Sequence, residues 1–189
     1  MNLIAEDNYC VGLAYGKATK SDFSEIIFGN IQGHENNLYV TTIDGGYKIV
    51  SDFANLPIDV YVKSGLGYFS ENDLKADTIE GILYLKVYYK LDFLSNRVRF
   101  GLGEGVSYTD NILYTEWLEA SEEDDANSKF LNYLDVSIDF DIGKLVSFRP
   151  LLNTYIGSTL KHRSGILGLI NDVKKGGSNY IMFSVEKNF

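Results

Sequence analysis

Read with period two, the chain separates into about eight segments, each with one apolar face and one mixed face, the pattern of half-buried or barrel strands. The segments are about Asn8–Lys17, Asn37–Val50, Ile58–Glu71, Thr78–Phe93, Arg97–Tyr108, Phe130–Ile142, Val146–Ser164 and Tyr180–Phe189. In the first, Tyr9, Val11, Leu13 and Tyr15 alternate with Cys10, Gly12, Ala14 and Gly16. In the fourth, Ile79, Leu83, Leu85, Val87, Tyr89, Leu91 and Phe93 oppose Glu80, Tyr84, Lys86, Tyr88 and Lys90. Charges at that density are costly in a solid apolar core and acceptable in a polar lumen. Glycines recur on the same mixed face in strands one, three and five. A narrow barrel with bulk outside and small or polar residues inside accounts for both facts. The rival is a water-soluble, lipocalin-like barrel, whose mixed face would point to solvent, where so many glycines gain nothing.

Connections alternate between short (near Ser51–Pro57, Leu94–Asn96 and Gly143–Leu145) and long (near Lys20–Asn36, Glu71–Asp77, Asp110–Ser128 and Gly165–Asn179). This alternation fits one all-β domain over residues 1–189, an antiparallel up-and-down transmembrane barrel with its long loops on the outer side. The chain also ends on Phe189, as barrels of the bacterial outer membrane do. No run of roughly 18 apolar residues offers a transmembrane helix. Met1–Asp7 lacks the cationic start and apolar core of an export signal, so a mature chain with an added initiator methionine is expected.

Composition narrows the partners. Seventeen Lys and Arg stand against 26 Asp and Glu, for a formal net charge of -9. That balance excludes a nucleic-acid surface, which needs clustered cations. Fourteen Tyr, 18 Gly and only 2 Pro suit long hydrogen-bonded strands. The single Cys10 excludes an internal disulfide and a cysteine-rich zinc site. Acidic residues crowd Glu116–Asp125, which reads as a solvated loop. A lumen filled by side chains such as Tyr84, Tyr88 and Tyr133 argues against a pore.

Of the two histidines, His34 reads as an exposed loop residue. His162 lies at the end of strand seven, and residues two apart on a strand share a face, so His162 and Ser164 project side by side. Their parity is that of Ile156 and Leu160, the lipid side. A histidine beside a serine can serve as general base and activate the hydroxyl toward an ester. Lys174-Lys175-Gly176-Gly177 lacks the strand–loop–helix setting of a phosphate loop. Lys174, Lys175, Lys161 and Arg163 remain candidates to meet lipid phosphates at the membrane surface.

The stretch His162-Arg163-Ser164-Gly165-Ile166-Leu167-Gly168-Leu169-Ile170-Asn171-Asp172, continuing to Gly176-Gly177-Ser178-Asn179 and Phe189, resembles the C-terminal end of the PagL-type lipid A deacylases. The resemblance implies an eight-stranded outer-membrane barrel that removes an ester-linked acyl chain from lipid A. It makes membrane lipopolysaccharide the partner and requires no metal or cofactor. His162 would then be the base and Ser164 the nucleophile. The family places Asn after the serine for the oxyanion hole, where this chain has Gly165; its backbone N–H or the Asn171 side chain would substitute. The family's acidic triad member would fall near Gly176, where no carboxylate stands. Asp172 is the nearest acid, and Glu104, which interrupts the apolar face of strand five, is the other. A glycine-associated bulge turning Glu104 into the lumen is the competing expectation for that residue. The alternative to an enzyme is a non-catalytic barrel of the same ancestry with a structural or surface role.

Overall fold

The computed structural model describes residues 8–166, 168–174 and 177–189. Eight antiparallel strands close into one barrel in chain order: β1 (Tyr9–Ala18), β2 (Tyr39–Val50), β3 (Ile58–Ser70), β4 (Thr78–Phe93), β5 (Asn96–Thr109), β6 (Phe130–Asp141), β7 (Thr154–Ser164) and β8 (Gly177–Asn188). Closure is made by β1 against β8, with Cys10 opposite Asn188 and Ala18 opposite Tyr180. No strand edge is left unpaired, which removes the usual route to edge-to-edge association.

The structure turns the apolar face outward and the glycine-rich, charged face inward, as the placement of the small residues implies. Leu85 is 51% exposed, whereas its neighbour Lys86 is 2% exposed. Outward stand Leu13, Ile43, Leu66, Leu83, Leu102 and Phe183, among other large apolar side chains. Inward stand ion pairs and tyrosines. Lys63 binds Asp44 and Glu186 at 2.7 and 2.6 Å, and Arg99 binds Glu186 and Asp139 at 2.9 and 3.2 Å. Lys86 pairs with Asp135. Glycines on this face make room: a Cβ on Gly101 would lie 2.3 Å from Ser137 Oγ and 2.6 Å from Lys86 Cε. The cavity at mid-lumen, between Asp44, Lys63, Lys86 and Asp135, holds only about 40 Å³, too narrow for a water-filled channel. A soluble lipocalin-like polarity is therefore excluded, since the aliphatic stripe is outside.

Three connections carry α-helical turns that the pattern did not predict. Strand seven starts at Thr154, not Val146. Residues 142–153 instead form helix α3 (numbered third in chain order, Ile142–Leu145) and a 3-10 turn at Arg149–Leu151. Asp141 explains the difference: its carboxylate accepts from Lys144 N at 3.0 Å and from Asn153 N at 3.1 Å, closing the turn on itself. On the other rim, the loop 19–38 contains α1 (Phe23–Ile27) and the loop 110–129 contains α2 (Tyr114–Glu123). The acidic run read as a loop is thus largely helical. Its inner side is tied to the barrel by Glu116, which accepts from Arg163 Nη1 at 2.6 Å and Ser178 Oγ at 2.9 Å.

Candidate functional site: a histidine and a serine on the outer wall

At the upper end of β7 the strand alternation places Lys161 and Arg163 inside and His162 and Ser164 outside. Lys161 pairs with Glu80 at 2.7 Å. Arg163, 0% exposed, reaches Glu116 and also donates to Ser107 Oγ at 2.8 Å. The expectation that these two cations meet lipid phosphates is corrected: strand parity buries both in the lumen. Lys174 is exposed and borders the outer cleft, while Lys175 and Gly176 lie outside the described residues.

The sheet register builds the site row by row. His162 stands between Leu134 on β6 and Asn179 on β8. One row above, Ser164 stands between Asn132 on β6 and Gly177 on β8. His162 Nδ1 lies 2.7 Å from Asn179 Oδ1. The Asn179 amide is oriented by its other end, whose Nδ2 donates to Ser21 O at 3.1 Å. An amide oxygen only accepts, so Nδ1 of His162 carries the proton and Nε2 keeps its lone pair. The Phe23 ring packs on the imidazole with centroids 5.0 Å apart.

Gly177 completes the geometry. A Cβ placed there would lie 3.6 Å from His162 Cε1 and 3.7 Å from Ser164 Cβ. The histidine and the serine therefore edge one void that exists because position 177 has no side chain. That void opens into a cleft of about 410 Å³, bounded also by Asp22, Phe23, Glu119, Gly165 and Lys174. Glu119 braces its floor, accepting from Gly177 N at 2.9 Å. Among the described residues no hydrogen bond joins His162 to Ser164, a spacing that often tightens only when substrate is present.

The other expected site residues are placed as follows. Gly165 follows Ser164 into the cleft wall, so close to Val173 that a Cβ would lie 2.1 Å from its carbonyl oxygen. Asn171 is spent elsewhere, donating to Ser128 Oγ at 2.8 Å and Phe130 O at 2.9 Å, which pins the β7–β8 loop to the start of β6. Asp172 is exposed in that loop and does not border the cleft. Glu104 is not turned inward. Its ladder is regular, opposite Leu85 and Leu134, and it faces out in the row Glu104–Leu134–His162. Two strand spacings, about 10 Å, separate it from His162. His34 is not an exposed loop residue either: it is 8% exposed, edge-on to Tyr114. Among the described residues, no group of three or more His, Cys, Asp or Glu is placed to hold a metal ion.

Asn179 was hidden from sequence reasoning because strand eight begins three residues earlier than Tyr180, at Gly177. That extension puts Asn179 on the face of Ile181 and Phe183. Asn132 carried a weak signal, a polar residue within the otherwise apolar face of β6.

No family model matches the sequence, and no curated protein does. Several solved structures share its shape, two of them as follows. The outer membrane enzyme PagL superposes with a TM-score of 0.61 at 10% identity, covering 95% of this chain and 99% of PagL. Neisserial surface protein A, NspA, superposes with a TM-score of 0.52 at 13% identity, covering 97% of this chain and 98% of NspA. At such identities the likeness establishes the closed eight-stranded fold, which these outer-membrane proteins share with this chain.

Proposed function

We propose that the protein is an ester hydrolase of the bacterial outer membrane that removes an ester-linked acyl chain from lipid A or a related glycolipid. The membrane setting rests on the belt of exposed leucine, isoleucine, valine and aromatic side chains around the barrel, which only an apolar surrounding accommodates. The esterase reading rests on one observation above all: a histidine with its tautomer set by Asn179 shares a lipid-side void with Ser164. There a bound lipid presents its ester near the headgroup boundary.

In the reaction, Ser164 Oγ bonds to the acyl carbonyl carbon while its proton passes to His162 Nε2. The carbonyl π pair moves onto oxygen. Collapse expels the sugar alkoxide, which recovers the proton from His162. Water then attacks the acyl-serine with His162 again as base, freeing the fatty acid and restoring Ser164. The base–orienter arrangement is that of a serine triad with a carboxamide in place of the carboxylate. An amide supports the tautomer but leaves the transient imidazolium without a counter-charge.

The test is fatty-acid release from native lipopolysaccharide by the purified barrel, measured by mass spectrometry. Release that disappears in Ser164→Ala supports the reading, and equal release from both proteins defeats it. The second reading, a non-catalytic surface barrel, draws on the neutral partner of His162 and on the lack of a His162–Ser164 hydrogen bond. It predicts identical lipid A profiles in cells with and without the protein.

A further inference from the structure

Asn132 is anomalous. It lies on the outward face of β6, opposite Val106 on β5 and Ser164 on β7. Val106 is well exposed, as its place on the outer wall requires, yet Asn132 is 6% exposed. Close by, Asn171 fastens the β7–β8 loop to Ser128 and Phe130, just before Asn132 on the strand. The Asn132 carboxamide makes no hydrogen bond among the described residues. A nearly covered carboxamide with no protein partner is a cost that an apolar side chain at the same point of an apolar face would avoid.

Its position suggests what offsets the cost. Directly opposed residues on antiparallel strands hold their Cβ atoms about 5 Å apart. Asn132 and Gly177 therefore flank Ser164 on its two sides: the glycine leaves the void on the β8 side, and the asparagine carries an amide on the β6 side. Resting on the esterase reading above, we infer that Asn132 is a catalytic residue, its Nδ2–H donating to the carbonyl oxygen of the ester as Ser164 attacks. In the ground state that oxygen is a weak acceptor. In the tetrahedral intermediate it carries the negative charge, and a fixed donor in a water-poor site gains most there. Gly165, which stands where the resembled family has asparagine, supplies no side chain for this task, and the Asn171 amide is already committed to β6. The donor comes instead from the neighbouring strand.

The experiment uses the full chain in detergent micelles, with lipopolysaccharide as substrate and a fluorophosphonate as a probe of Ser164. Wild type is compared with Asn132→Leu and Asn132→Asp. Both variants keep nearly the native volume, and neither presents an amide donor. The expected result is a kcat about 10²–10³-fold lower, the usual effect of removing one oxyanion donor, with KM within about twofold. Asn132→Leu should melt no lower than wild type, because it removes an unpaired polar group. Such a variant, folded yet slow, is not what a purely structural asparagine gives. Wild-type hydrolysis with kcat unchanged in both folded variants overturns the role of Asn132 and leaves the esterase standing. A wild-type barrel that neither reacts with the probe nor releases fatty acid overturns both together. Loss of the barrel fold in both variants makes Asn132 a packing residue and overturns the inference as well.

Discussion

His162 Nδ1 and Asn179 Oδ1 are 2.7 Å apart, on adjacent strands and on the outer wall of the barrel. The contact decides which imidazole nitrogen is free to take a proton. Asn179→Ala should lower kcat for ester release by at least tenfold, within the range that a well-placed general base contributes, and leave KM nearly unchanged. Steady-state kinetics on lipopolysaccharide, with a thermal melt to confirm folding, checks this.

Gly177 keeps the void between His162 and Ser164 open. Gly177→Val should abolish hydrolysis by filling it. Because a Cβ there also meets Arg163 O at 2.6 Å, the variant should lose about 1–3 kcal/mol of stability, the usual cost of overpacking. Urea unfolding in lipid vesicles measures the stability, and fatty-acid release measures the activity.

Arg163 is the clasp between the barrel and α2, holding Glu116 at 2.6 Å inside the lumen. Arg163→Leu leaves the buried Glu116 without its cation, while Glu80 keeps Lys161. Breaking one side of a buried pair costs about 3–5 kcal/mol. Proteolysis should then cut within 110–129 in the variant before the strands are touched, while wild type resists.

Glu71 follows β3 and sits beneath α2, accepting from Tyr114 N at 2.7 Å. Burial pushes its carboxyl up from the ordinary 4.5 to about 7, with the nearby Glu116 adding to the rise. The folded chain therefore holds this proton through a window where the unfolded chain has released it. Its contribution is full below pH 4.5 and is lost as pH climbs through 7. Wild type should melt a few degrees lower at pH 8 than at pH 5, and Glu71→Gln should flatten that slope. Melts across the pH range, followed by circular dichroism, decide it.

Glu104 faces outward at mid-strand, between Leu85 and Leu134. Carboxylates on a lipid face are destabilising, though less so than cations at the midplane. Glu104→Leu should raise stability in vesicles by about 1–2 kcal/mol and leave hydrolysis unchanged. A loss of activity would instead tie Glu104 to the site.

Strand number and the shared parity of His162 and Ser164 were legible because period two is a local signal, and the glycines and charges gathered on one face marked that face as the inner one, as Leu85 out and Lys86 in bear out. What sat beyond reach depended on register between strands. Asn132, Ser164 and Gly177 are far apart in the chain and meet only in one row of the closed sheet. The bulge expected at Glu104 failed for the same reason, since the flanking Gly103 and Gly105 serve lumen packing against Tyr84 and Lys86 instead of kinking the strand. His34 was misjudged because the packing of its loop against α2 leaves no trace in local pattern.

The most direct measurement is mass mapping of the barrel after exposure to a fluorophosphonate in micelles. The account predicts one adduct, on Ser164, strongly slowed by His162→Ala. Labelling at other serines alone, or the same rate in His162→Ala, would contradict it.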